Sequence, residues 1–204
     1  GIGVGPGDAE LITLKAINVL RSCDHILVPA TEASGSDSGR AETIVLTACP
    51  ELEDRIVRIP FSMADRAGVT KRRADSWQAS ADQAVRSFAE GATRIGFATI
   101  GDPSVYSTFS YLASSVREQV PDLQVEVVPG ITAMQALAAA SRTPLVEGDE
   151  VLALVPLKRG IDPLLKIAEV VDTCVIYKAG RYLPHLREYL GEIGDDAIAG
   201  INVG

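Results

Sequence analysis

The sequence predicts an α/β protein: a parallel sheet with helices on its faces. Three observations predict it. Short apolar runs end abruptly in Gly, Pro or Asp, as Ile95–Ile100 does before Gly101-Asp102-Pro103. Most runs are followed by apolar residues recurring every three to four positions, the spacing of a helix with one buried face. This strand–turn–helix order repeats along the chain, which favours parallel pairing.

Taken in order, Gly1–Val4 reads as the end of a strand, and Gly3, Gly5, Pro6 and Gly7 form a loop. Asp8 is placed to cap a helix whose buried side is Leu11, Leu14, Ala16, Ile17 and Leu20. The second strand is His25–Pro29. Thr31–Arg40, with two glycines and small polar residues, is a surface insertion. A short helix to Cys49 and a strand at Arg55–Phe61 follow. Thr70–Glu90 is the clearest helix: Ala74, Trp77, Ala81, Ala84 or Val85, and Phe88 share a face, with Thr70 and Gly91 as caps. Lys71, Arg72, Arg73, Asp82 and Arg86 make its solvated side.

After the central strand, a helix is expected from Ser104 onward. Leu123–Val128 reads as another strand, and the alanine-rich Ile131–Ser141 as a helix that must pack closely against a neighbour. Thr143–Asp149 is the best linker. Beyond it come a strand at Val151–Lys158, a helix after Asp162-Pro163, a strand at Thr173–Lys178 and a helix near Pro184–Leu190. The expected domains are therefore 1–145 and 146–204, the second small for a core of its own. Ile201–Gly204 opens like one more strand, so the natural chain is expected to begin before Gly1 and to continue past Gly204.

Composition narrows the function. The chain has 204 residues, 47% hydrophobic and 23% charged, with a net charge of −8. That balance argues against nucleic acid as a partner, while an anionic substrate needs only a local cluster of cations. Cys23, Cys49 and Cys174 form no CxxC pair and read as reduced thiols of a cytoplasmic protein. His25 and His185 lack metal-ligand spacing, so no metal is expected. No apolar run is long enough for a membrane span.

The glycine loop is not a phosphate cradle. Its order is G-x-G-x-G rather than G-x-G-x-x-G, Pro6 removes one N–H, and Asp8 puts a carboxylate where phosphate would lie. A carboxylate at Asp102 suits an amine, a ribose hydroxyl or a sulfonium. Thr132 and the helix start beside it offer donors for a carboxylate or an adenine nitrogen. These loops describe a site for a zwitterionic adenosine compound. Nothing marks a nucleophile, which leaves group transfer by positioning.

GIGVGPGDAELITLKA, TIGDPSVYSTFSYL, VEVVPGITAMQALAAA and VIYKAGRYL occur in the order and spacing found in the tetrapyrrole (corrin-pathway) methyltransferases, and the chain resembles that family over nearly its whole length. GDPSVYSTFSYL, IPFSM and EGDEVLALVP are most similar to the members acting at C(20) of precorrin-2 or cobalt-factor II. The resemblance implies a two-domain fold, with the active-site cleft between a parallel-sheet domain and a smaller α/β domain. It also implies S-adenosyl-L-methionine as methyl donor, a tetrapyrrole substrate and a homodimer. Carried over by position, the donor-contacting motifs fall on Pro6, Ile100, Gly101, Asp102, Val105, Tyr106, Thr132, Ala133 and Lys178. Lys178 stands where other members carry methionine. Asp8, Arg40 and Arg181, with Lys158 and Arg159, are candidates for the substrate's carboxylates. Asp8, Asp102 and Tyr106 could reach the reacting carbon, but none stands out as a base, and no catalytic residue is assigned. A same-fold enzyme with another substrate, such as a diphthine-type methyltransferase, or a binding protein that has lost catalysis, are the alternatives.

Overall fold

In the computed structural model the described residues are 1–30, 38–60, 71–158, 160–193 and 197–200. The chain divides into two compact units, Gly1–Ala133 and a second that starts at Met134. Each is taken by itself.

The first unit is built on four parallel strands, β1 (Ile2–Gly3), β2 (His25–Ala30), β3 (Ile56–Pro60) and β4 (Ile95–Thr99), in the order β1-β4-β2-β3. The interior strands are apolar on both sides, as a sheet covered on both faces requires. Ile26, Val28 and Ala98 point to one face and pack with α1 (Leu14–Ser22) and α2 (Arg40–Ala48) through Ala16, Leu20, Ile44 and Val45. Leu27 and Phe97 point to the other, against α3 (Lys71–Ala89) and α4 (Phe109–Gln119) through Ala81, Ala84, Leu112 and Val116. Trp77 of α3 stacks on Tyr111 of α4, with ring centroids 4.4 Å apart.

Four expectations change. The helix expected from Asp8 begins only at Leu14, where Thr13 Oγ1 accepts from Ala16 N at 3.1 Å; Asp8 instead caps a single 3-10 turn, Ala9–Leu11. Leu14, placed on the buried side by spacing, is 80% exposed, because it opens the helix before the buried face begins. The helix after Pro103 starts at Phe109, since Tyr106 has φ +52° and no helix passes through that conformation.

Leu123–Val128 forms no strand ladder. The segment runs extended beside β1, with Val128 N donating to Gly1 O at 2.8 Å and Gly3 N to Val128 O at 2.9 Å, but only Val128 bridges. Strand composition suits the segment, but its pairing with β1 is confined to that one bridge. The helix start expected to be capped by Thr70, the basic side chains Lys71, Arg72 and Arg73, and IPFSM beyond Pro60 lie outside what is described, as does Ile201–Gly204.

In the second unit β5 (Leu152–Pro156) and β6 (Thr173–Tyr177) pair in parallel, flanked by α5 (Asp162–Ala168) and α6 (Leu183–Ile193). Their core is small: Val155, Leu157, Leu164 and Leu186. The alanine-rich helix, Ala133–Ser141, buries only Ala136 among its residues. Close packing was expected of it; alanine's high helix propensity accounts for the helix without that.

One ion pair braces the first unit. Glu42, 2% exposed on α2, accepts from Arg58 Nε at 2.9 Å and Nη2 at 2.6 Å, and from Ser38 Oγ at 3.1 Å. The Arg58 hydrogen bonds hold its carboxyl below the ordinary value of 4.5, against the opposing effect of burial. A group depressed in the folded state stabilises above its unfolded value and loses that contribution as pH falls through the folded one. Glu42→Ala should therefore cost about 1–2 kcal/mol at neutral pH, Arg58 being half exposed. Urea unfolding of parent and variant should converge as the pH is taken well below 4.5.

Candidate functional site

At the carboxyl end of the sheet three stretches of main chain meet: the exit from β1, the exit from β4, and residues 128–132. Val4 N donates to Thr99 O at 3.0 Å, and Gly101 N to Gly5 O at 2.7 Å, so the two strand exits stay joined past the ladder. The crossing has no room for side chains. A Cβ on Gly130 would lie 2.2 Å from Gly101 O and 2.8 Å from the Gly3 main chain. One on Gly3 would meet Gly101 O at 2.6 Å. Gly101 itself turns with φ +70°, which few other residues adopt.

Asp102 is the polar centre of this crossing. It is 9% exposed. Its Oδ1 accepts from Ser104 N at 2.7 Å and from Ser104 Oγ; its Oδ2 accepts from Gly130 N at 2.9 Å. Burial raises the carboxyl's pKa, but the hydrogen bonds from Ser104 and Gly130 together outweigh it and hold the group below the ordinary range. Asp102 is thus an anion, and its donors come from its own chain.

Around it the nominated residues divide by exposure. Ile100 and Tyr106 are 40% and 44% exposed and offer apolar surface. Val105 is half-buried, with its N–H donating to Asp102 O at 3.2 Å. Pro6 and Thr132 are buried, whereas Ala133 is exposed at the start of its helix. Asp8 is exposed and accepts from Glu10 N at 2.9 Å. Arg40 opens α2 as an exposed residue.

Lys178 and Arg181 belong to the second unit. Lys178 follows β6, exposed, with φ +61°, and Arg181 lies exposed in the 3-10 turn Gly180–Tyr182. Lys158 is exposed just after β5, and Arg159 lies outside the described residues. Among the described residues, three other than glycine have positive φ: Tyr106, Arg142 and Lys178. Two of these are positions nominated from sequence, and strained backbone of this kind clusters at ligand sites.

Gly130 and Ser104 were missed as site residues. Nothing in the spacing announces that a carboxylate will bond an amide 28 residues on. The GxG at the end of β1 and the Pro-Gly at 129–130 were the available hints of close main-chain approach.

Among the described residues no three His, Cys, Asp or Glu gather as a metal site, and the cysteines are free. No described helix is long and apolar enough to cross a membrane. His25 is half-buried at the start of β2. What the strand-end cluster can do is hold a small ligand with shaped main chain and apolar flanks. Gly130→Ala should cost about 1–3 kcal/mol by overpacking the crossing. Tyr106→Gly should stay within about 1 kcal/mol of the parent, because relief of the left-handed conformation offsets glycine's extra chain entropy. Thermal unfolding of the two variants checks both.

Residues 1–202 match the family model described as Tetrapyrrole (Corrin/Porphyrin) Methylases. The chain is 34% identical to a probable cobalt-precorrin-2 C(20)-methyltransferase of Methanocaldococcus jannaschii, covering 98% of this chain and 80% of that protein. It is 33% identical to a precorrin-2 C(20)-methyltransferase of Sinorhizobium sp., over 95% of this chain and 78% of the relative. Its fold is similar to the uroporphyrin-III C-methyl transferase of Thermus thermophilus, crystallised with S-adenyl homocysteine: TM-score 0.61 and 23% identity, over 96% of this chain and 76% of that one. With a family model spanning almost every residue, and relatives above 30% identity along the same span, this chain belongs to the tetrapyrrole (corrin/porphyrin) methylases.

Proposed function

We propose that this protein is an S-adenosylmethionine-dependent C-methyltransferase that adds a methyl group at C(20) of precorrin-2 or of its cobalt-containing counterpart, in cobalamin biosynthesis. The observation that carries the reading is the agreement of two relatives, each matched over nearly the whole chain, on that one ring position.

The strand-end cluster suits the donor. A crossing of glycine main chains leaves room for a ligand to approach backbone, and Ile100 and Tyr106 give apolar surface for an adenosyl group. The loop at Pro6 and Asp8 is unfavourable to phosphate and compatible with a ligand that carries a sulfonium and an ammonium. When bound, S-adenosylmethionine supplies an electrophilic methyl carbon, which an electron-rich carbon of the macrocycle attacks in line. Pro6, the turn from Ile100 to Tyr106, Thr132, Ala133 and Lys178 hold and orient the donor in this reading. Orientation of two reactants can supply about 7–11 kcal/mol of a barrier without an acid or base from the protein.

Recognition of a polycarboxylate by a chain of net charge −8 requires cations placed locally. Arg40, Lys158 and Arg181 are assigned that role, with Asp8 near the ring. The protein acts as a homodimer in the cytoplasm in this reading; free cysteines agree with a reducing compartment.

The test is methyl transfer from labelled S-adenosylmethionine to precorrin-2 and, in parallel, to cobalt-factor II, with the product read by mass spectrometry and NMR. One new methyl at C(20) is expected. A methyl at another carbon, or donor binding without transfer to either ring, overturns the assignment. Arg40→Glu combined with Arg181→Glu should raise the tetrapyrrole KM about tenfold or more and flatten its salt dependence. An unchanged KM removes those two residues from the substrate site.

A further inference from the structure

We propose that Asp102 is a positioning residue for donor binding: its carboxylate ties the Gly101 turn to Gly130 and so shapes both main chains, without itself touching the donor. The inference rests on the reading that the strand-end cluster binds S-adenosylmethionine, and it assigns this acid a role other than ligand contact.

Geometry separates the two roles. A carboxylate that receives an ammonium or a ribose hydroxyl has to present an open oxygen. Oδ1 of Asp102 is filled by the N–H and hydroxyl of Ser104, and Oδ2 holds Gly130 N at 2.9 Å and keeps its one further lone pair on a residue that is only 9% exposed. Asp8, by contrast, is an exposed acid of the same cluster. The tie has mechanical consequence because the last main-chain bonds to the β1 stretch are made at Val128, and two residues further on the Gly130 amide is held by Asp102. Gly130 is followed directly by Ile131, Thr132 and Ala133, so the direction in which they leave depends on where Gly130 is fixed. On the other side, Gly101 N donates to Gly5 O at 2.7 Å, so a movement of the turn is passed to the β1 exit. One carboxylate thereby sets three stretches of main chain that converge on the ligand.

Asp102→Asn tests this. The amide keeps one acceptor oxygen but turns an NH2 toward either Ser104 or the Gly130 N–H, where only an acceptor fits. Two readouts are needed: hydrogen exchange at the Gly130 amide, followed by NMR, and affinity for S-adenosylhomocysteine, by calorimetry. Exchange at Gly130 should be about tenfold faster and binding about tenfold weaker, the rough worth of a lost charge-assisted hydrogen bond. In turnover the donor KM should rise while kcat at saturating donor changes little. Asp102→Glu should fail to rescue, since the charge returns and the reach does not.

Weaker binding with Gly130 exchange unchanged would mean that the carboxylate touches the ligand, and it overturns the inference. So does faster exchange with affinity unchanged, which would make the tie structural only. Should Asp102→Asn not fold, Ser104→Ala, at an exposed residue, removes one donor from Oδ1 and should move both readouts in the same direction by a smaller amount. Parent-like values for Ser104→Ala in both readouts would refute the tie. A parent protein that does not bind S-adenosylhomocysteine overturns the proposed function and this inference with it. Parent binding that Asp102→Asn matches overturns the inference alone.

Discussion

The contact of three glycine main chains around one buried carboxylate is the constraint on which the carboxyl edge of this protein depends. Gly3, Gly101 and Gly130 approach so closely that a methyl group at Gly130 would lie inside van der Waals distance of a carbonyl. Main chain packed that tightly has to satisfy its N–H groups within the chain. Asp102 does so for Gly130, and Gly5 does so for Gly101. The β1 exit, the β4 turn and the approach to the alanine-rich helix are therefore one unit of structure, although they are distant in sequence.

Much of this was readable beforehand, and what was not readable has physical reasons. The parallel sheet, the long helix over Lys71–Ala89 and the central strand Ile95–Thr99 agree with the apolar spacing, since burial on one or both faces dictates composition directly. Element ends were harder. Asp8 and Thr13 are both good caps, and only the path of the chain decides that Thr13 opens the helix while Asp8 opens a single 3-10 turn. The delayed start of α4 follows from Tyr106 adopting a conformation that its residue type disfavours, and local propensity does not foresee it. Leu123–Val128 has strand composition, but its pairing with β1 is confined to one bridge at Val128, which composition does not foretell. At the site, turn residues such as Gly101 and Asp102 announce themselves. The donor from Gly130 is an anonymous backbone amide, without a side chain to mark it.

Several cations of the first unit are engaged in ion pairs. Arg58 is engaged with Glu42, Arg21 with Glu51, and Lys15 and Arg94 with Glu126. Arg55 donates to the carbonyls of Arg21 and Cys23, both at 2.9 Å, and so closes the end of α1. These residues pin helices and strand starts to one another at the amino end of the sheet or on its flank. The proposed substrate cations Arg40, Lys158 and Arg181 are exposed, at the start of α2, just after β5 and in the turn after β6.

Glu126 has a further significance through its position between Val125 and Val127. Both valines are exposed, at 37% and 48%, on the extended segment that flanks β1. Bonds to β1 come from Glu126 O and from both main-chain groups of Val128, so the groups of Val127 are turned outward, as alternation along an extended chain requires. An outward row of amides and carbonyls beside exposed valines is the template onto which a foreign strand adds. The Glu126 carboxylate, on the face opposite the two valines, pairs with Lys15 at 3.4 Å and Arg94 at 2.7 Å and anchors the segment sideways. The surface ion pair contributes little to folding stability. Its larger effect is to hold this extended border against α1 and the start of β4.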